Sequence, residues 1–168
     1  MSSDIIIRRM NIEDLNDIQK LYAQQVDADD NPLTSLRISS KQHAWEMRRL
    51  RQQLLTEQRY LAYVAVERDE ASHSQKMIGY AAAILEQQAH LFEVDTIASI
   101  EELWVAGEYR RRGVGKALIE ELLCDIARNG IDWVTVHMPA SAEDARAFFD
   151  KFGFEQKNVE LQIKLKEN

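Results

Sequence analysis

Apolar residues recur along this chain with two spacings, one near the helical repeat and one near the strand repeat, and the switches between them mark out the elements. Ile5-Ile6-Ile7 followed by Arg8 reads as a first strand. Asn11-Ile12-Glu13-Asp14 then opens a helix, with Asn11 suited to the N-cap and two acidic residues in the first turn. Leu15, Ile18, Leu21 and Tyr22 keep helical spacing until the acidic, turn-prone stretch from Asp27 to Pro32. A second helix starts after Ser39-Ser40 and runs to about Gln58, with Ala44, Met47, Leu50, Leu54 and Leu55 as its apolar side and Arg48, Arg49 and Arg51 as a solvated face.

Tyr60 to Val66 is rich in strand formers, Arg68 to Lys76 is a polar hairpin loop, and Met77 to Leu85 and Ser99 to Val105 are two further strands. Three neighbouring strands with such connections predict an antiparallel meander. The segment between Glu86 and Ala98 is compatible with an extension of both strands into a long hairpin. The next helix, Gly113 to Arg128, carries Val114, Ala117, Leu118, Leu122 and Ile126 on one side, widened by Ile119, Leu123 and Ala127. Asn129-Gly130 ends it, with Gly130 suited to a left-handed cap. A strand from Asp132 to Met138, a helix from about Ala142 to Phe152 and a last strand from about Val159 to Leu165 follow. No repeat, low-complexity segment or linker interrupts residues 1–168, which predicts one domain.

Composition narrows the function classes. Its 45% hydrophobic and 29% charged residues are ordinary for a soluble globular protein. A net charge of −7 gives nucleic-acid binding no general support. No apolar run approaches the ~20 residues of a membrane span, and the start Met1-Ser2-Ser3-Asp4 does not read as a signal peptide. The single cysteine, Cys124, falls inside a helix, where a small buried apolar residue is expected rather than a nucleophile; with no second cysteine to pair it, a reducing cytoplasm fits. His43, His73, His90 and His137 have no ligand-like spacing, so no metal site is expected.

The candidate chemistry lies in Leu103 to Lys116, where an apolar strand meets an amphipathic helix through a turn that is both Gly-rich and basic. A helix N-terminus offers unpaired N–H groups and the positive end of the dipole. Gly113 and Gly115 let an anion approach those groups, and Arg110, Arg111 and Arg112 add forked donors suited to phosphate. A P-loop would need Ser or Thr after Lys116, where Ala117 stands; a dinucleotide fingerprint would need Gly or Ala at Leu118. The plainer alternative is a strand–helix turn with solvated arginines.

Arg110-Arg111-Arg112-Gly113-Val114-Gly115 resembles the Arg/Gln-x-x-Gly-x-Gly/Ala signature of the acyl-CoA-dependent N-acyltransferases of the GNAT superfamily. Ala145 to Phe154, with Phe148, Lys151 and Gly153-Phe154 in step, is similar to that family's Ala-x-x-Phe-Tyr-x-Lys-x-Gly-Phe helix end. The resemblance implies a single α/β domain of the α+β type, with a mixed, mostly antiparallel sheet flanked by helices. It implies acetyl-CoA as cosubstrate, a primary amine as acceptor, and transfer by direct attack; it allows a homodimer. Leu103 and Val105 would offer backbone groups to the pantetheine arm. Arg110, Arg111, Arg112, Gly113, Val114, Gly115 and Lys116 would hold the pyrophosphate. The strands from Ser99 and from Asp132 should run side by side and diverge after Val105.

A protonated amine cannot attack, so a carboxylate must take its proton. Glu101 and Glu102 are adjacent, and simple alternation points them to opposite faces. Family members with such a pair often use the first carboxylate, which makes Glu101 the expected base; two surface charges are the alternative. His137, at the end of its strand, is a weaker candidate for the pocket. The departures from the family pattern are Ala142, where Asn is frequent, and Phe149, where a Tyr often protonates the leaving thiolate. Phe149 supports a rival function, a non-catalytic acyl-CoA-binding sensor or interaction module. Asp27, Asp29 and Asp30 would attract a cationic acceptor, or form a solvated loop.

Overall fold

The computed structural model describes residues 3–20, 49, 52, 59–69, 74–87, 96–138 and 141–157. Five strands form one sheet in the order β1-β2-β3-β4-β5: β1 Ser3–Arg9, β2 Tyr60–Asp69, β3 Gln75–Gln87, β4 Thr96–Val105 and β5 Val134–Val136. The first four pair antiparallel as neighbours, and β5 runs parallel to β4, so the sheet is mixed and mostly antiparallel. The helical elements among the described residues are α1 over 15–20, entered through a 3-10 turn at Ile12–Asp14, the helical residues 49 and 52, α2 Val114–Arg128 and α3 Glu143–Asp150. The fold class is α+β.

The chain divides into two units, Met1–His137 and Met138–Asn168. In the first, strand alternation, offset in β3 by a β-bulge at Ile78 (Ala65 pairs with Gly79 and Val66 with Met77), sends Tyr60, Ala62, Val64 and Val66 of β2 and Met77, Tyr80 and Ala82 of β3 into one cluster with Met10 and Ile18. Trp104 of β4 and Leu15 of α1 pack at its margin. The other face of β3 is lined by Gly79, Ala81 and Ala83, small residues that let α2 lie close; a Cβ on Gly79 would stand 2.8 Å from the Trp104 carbonyl oxygen and 3.2 Å from Leu118 Cδ1. Leu118, Ile119, Leu122 and Ile126 are the buried stripe of α2.

Two buried carboxylates tie the elements together, and the hydrophobic pattern shows neither. Asp125, on the inner side of α2, accepts a hydrogen bond from the Tyr63 hydroxyl at 3.0 Å, with Arg9 Nη1 at 3.6 Å. Burial, then the bond to Asp125, pushes the Tyr63 hydroxyl pKa up. Asp14 accepts from Arg8 Nη1 and Nη2 at 2.8 and 2.7 Å and from the Asn11 N–H at 2.8 Å, completing a capping box with Asn11. The bidentate bond to Asp14 raises the Arg8 pKa.

Cys124, expected to be buried, is exposed: Leu122 and Ile126 on either side take the inward positions, and Asp125 takes the core place next to it. Ala127, assigned to the apolar side, is exposed for the same reason. β5 is shorter than the expected Asp132 to Met138. β3 and β4 do extend, to Gln87 and from Thr96. The expected second helix, apart from the helical residues Arg49 and Gln52, the acidic stretch with Asp27, Asp29 and Asp30, and the last strand Val159 to Leu165 lie outside the described residues.

In the second unit, α3 ends in the turn Lys151-Phe152-Gly153, with Gly153 at φ 83°. Phe149 is the buried ring, meeting Phe148 and Phe154 edge-on with centroids 5.2 Å away in each case. Phe148 and Phe152, expected in the core, are half-buried and lean on each other at 5.2 Å.

Candidate functional site

The site is built on an irregularity in β4. Ala82 pairs with Glu102 and Ala83 pairs with Ile100, so Glu101 is an extra residue, a β-bulge. The bulge changes which main-chain groups face which neighbour. Ala98 donates its N–H to Trp133 O at 2.9 Å, toward β5, whereas Ala106 donates to Ile78 O at 2.9 Å, toward β3. Counting back from Ala106 by strand alternation, Trp104 and Glu102 turn their main chains to β3, while Val105 and Leu103 turn theirs away from it. Without the extra residue the open side would fall to Glu102 and Trp104.

The partner on that open side stops early. β5 pairs with β4 only at Ala98, Ser99 and Ile100, ending at Val136. The two strands were expected to part after Val105; they part five residues sooner, at the bulge, because β5 is only three residues long. Leu103 and Val105 therefore present main-chain groups on an edge without a paired strand among the described residues. Arg110 Nε donates to the Val105 carbonyl there at 3.0 Å. The bulge also interrupts the alternation invoked for Glu101 and Glu102: Glu102 falls on the Trp104 face, and Glu101 is the exposed extra residue.

A 3-10 turn, Gly107–Tyr109, leads from this edge into the arginines. Arg111 has φ 61° and Gly113 φ 86°. Only glycine takes that conformation freely, and since a Cβ on Gly113 would meet nothing within 4 Å the demand there is conformational. At Arg111 the same region costs about 1 kcal/mol. Gly113 is the N-cap of α2, and no side chain caps the helix. The first helical bond is Ala117 N–H to Gly113 O at 3.0 Å. Val114, Gly115 and Lys116 thus form the first turn, whose N–H groups precede any intrahelical acceptor. Val114 buries its side chain in the core, so it has only its main chain to offer a ligand. Lys116 Nζ lies 3.3 Å from Glu120 Oε1 in an exposed pair.

Tyr109, Glu67, Lys76 and Glu108 surround the turn and were not singled out by the motif. The Tyr109 hydroxyl donates to Glu67 Oε2 of β2, and that bond, above all, raises the Tyr109 pKa. Lys76 of β3 donates to Glu108 Oε1 at 3.0 Å. Their partners are 42 and 32 residues apart in the chain, so only the sheet register reveals them. His137, just past β5, is exposed. Among the described residues no group of three His, Cys, Asp or Glu could hold a metal ion, and no helix is long and apolar enough to cross a membrane.

An open strand edge that delivers the chain into an uncapped, arginine-rich helix N-terminus suits a ligand with an extended amide arm and a diphosphate. Solved structures share the fold. The BH1408 protein from Bacillus halodurans, crystallised as a tetramutant, superposes with a TM-score of 0.76 at 18% identity, over 95% of this chain and 99% of that one. AAC(6')-Iy, solved with the bisubstrate analog CoA-S-monomethyl-acetylneamine, gives 0.71 at 18% identity, over 98% and 99%. The aminoglycoside 6'-N-acetyltransferase AAC(6')-Ih from Acinetobacter baumannii gives 0.68 at 18% identity, over 98% and 100%. No curated protein matches the chain. The Acetyltransferase (GNAT) family profile matches residues 22–154, well over half of the chain, and the protein belongs to that family.

Proposed function

We propose that residues 1–168 act as one N-acetyltransferase domain in the cytoplasm, moving an acetyl group from acetyl-CoA to a primary amine. The observation that carries this reading is the bulge at Glu101, which turns Leu103 and Val105 to the open edge directly before the uncapped start of α2. The amides of the pantetheine arm pair with the main chain of Leu103 and Val105, as an added strand would. The pyrophosphate takes the N–H groups around Gly113 and Gly115, with Arg110, Arg111, Arg112 and Lys116 supplying charge. Acetyl-CoA brings an activated thioester. The amine nitrogen bonds to the acetyl carbon, the C–S bond breaks, and coenzyme A leaves as its thiolate.

The amine must first lose a proton, and the reading gives it to the Glu101 carboxylate, directly or through water. Glu101 is exposed at the bulge, where β4 and β5 part, so its carboxylate is accessible to an acceptor. No metal takes part in this reading. The acceptor is a cationic amine, either a small molecule or a protein or peptide amino group. One relative in fold, solved with the bisubstrate analog CoA-S-monomethyl-acetylneamine, supports the small-molecule class.

The rival is a non-catalytic acyl-CoA-binding module, favoured by Phe149, a buried ring without a hydroxyl. One experiment separates the two. Acetyl-CoA is titrated by calorimetry into wild type and Gly115→Val, and thiol release is then followed across a panel of polyamines, aminoglycosides and peptides. The enzyme reading expects binding that Gly115→Val abolishes and thiol release that needs an added amine. Binding without amine-dependent release across the panel selects the rival. Unchanged affinity in Gly115→Val removes the cradle from both.

A further inference from the structure

The three arginines of the turn are not equivalent in their surroundings. Arg110 gives its Nε–H to the Val105 carbonyl, and Arg111 sits in a left-handed backbone. Arg112 alone rests on an aromatic face among the described residues, its Cζ 5.2 Å from the centroid of the Tyr109 ring. That ring is itself fixed: Tyr109 is 6% exposed, and its hydroxyl is bonded to Glu67 on β2. Lys76 Nζ also approaches the ring, at 5.3 Å, but it is already neutralised by Glu108.

We propose that Tyr109 is a positioning residue for diphosphate recognition: Glu67 fixes the ring, and the ring holds the Arg112 guanidinium beside the start of α2. The inference rests on the reading of Arg110 to Lys116 as the acyl-CoA cradle. A free arginine side chain samples many rotamers and must lose them when it clamps a phosphate. Held over a buried ring, Arg112 has lost part of that freedom before the ligand arrives. The planar guanidinium can lie flat on the ring and still direct its edge N–H groups at an anion, which a lysine ammonium cannot do. Glu67 adds a second effect. It lies on a strand two places from β4, so the Tyr109 hydroxyl ties the turn to the far side of β3.

The test is a double-mutant cycle read by calorimetry with coenzyme A, with thermal melting as the folding control. Tyr109→Leu should weaken coenzyme A about 10-fold, within the range of a cation–π contact. Tyr109→Phe, which keeps the ring, should recover most of that loss. Tyr109→Leu combined with Arg112→Ala should bind no more weakly than Arg112→Ala alone, because the ring acts through that arginine. S-acetylpantetheine, which lacks the diphosphate, should bind wild type and Tyr109→Leu equally. Should the leucine variant not melt cooperatively, Tyr109→Met fills the site without a ring and repeats the cycle. Multiplying losses in the double mutant, equal losses with S-acetylpantetheine, or full coenzyme A affinity in Tyr109→Leu would each overturn the proposal while leaving the cradle standing. Wild type that ignores coenzyme A, or binds it as well after Gly115→Val, removes the cradle and the proposal together.

Discussion

Thr96–Ile100 and Glu101–Val105 are consecutive halves of β4, yet they solve the backbone hydrogen-bonding problem differently. In the first half β3 lies on one side and β5 on the other, and Ala98, Ser99 and Ile100 are buried. In the second half β3 remains, β5 is gone, and no residue is fully buried. A sheet strand with satisfied groups on both edges is finished; one with a free edge still has donors and acceptors to give. The switch takes a single inserted residue, Glu101. In the proposed reading, structure and recognition are thus separated along one strand rather than assigned to different elements.

The sharpest way to break that division is to disturb what both halves need. Gly79 faces Val105, and any Cβ there meets the Trp104 carbonyl at 2.8 Å. Gly79→Val should cost about 3 kcal/mol of stability by overpacking and should also weaken acetyl-CoA binding, because the open half must shift away from β3. Chemical denaturation and calorimetry read the two losses; a variant that keeps both would show that the close approach is unimportant.

Ile100→Ala and Glu101→Gln sharpen the comparison from either side of the boundary. The first empties a buried site and should cost about 2–4 kcal/mol of stability without changing acetyl-CoA affinity in the folded protein. The second should leave the melting curve in place and slow turnover by about 10²–10⁴-fold where the amine is protonated. The deficit should shrink as the pH approaches the amine's own pKa, since a neutral amine needs no base. Glu102→Gln, on the Trp104 face, should fall well short of that deficit. Matching pH–rate profiles for wild type and Glu101→Gln would remove Glu101 as base.

The smallest effect lies on the helix-covered face. The Tyr63 hydroxyl pKa is raised in the folded state, so its contribution to stability is complete below the unfolded value near ~10 and is lost as the pH climbs through the folded value. Stability should therefore decline above about pH 10, and less steeply in Tyr63→Phe. Thermal melts taken from neutral to alkaline pH would show it; identical slopes for the two proteins would remove Tyr63 as the cause.

Local chemistry was readable from residue order. Asn11 as a cap, Gly130 after α2, Gly113 at the head of α2 and the arginine run all follow from neighbours within a few positions. The meander was readable too, because strand formers and polar connections alternate along the chain. The bulge was not: an inserted residue shows only against a partner strand, and counting alternation straight through Glu101 and Glu102 misjudges the geometry beyond it. Asp125 was missed because a carboxylate at an inward helical position looks like a break in the apolar stripe until Tyr63 and Arg9 are seen beside it. The ring of charges around Tyr109 was missed because its members come from two strands and the turn, far apart in sequence.

The exposed thiol of Cys124 offers something practical. It is the chain's one cysteine, so a maleimide fluorophore would attach at a single position with no engineering. It rides the outer face of the same helix whose first turn is the proposed cradle, and ten residues of α-helix separate Cys124 from Val114, a span of about 15 Å. A dye at that distance would sense a fluorophore-labelled coenzyme by energy transfer while standing clear of the proposed pyrophosphate site. Labelled at Cys124 alone, the unaltered sequence would report binding of such a coenzyme in stopped-flow measurements, arrival and departure alike.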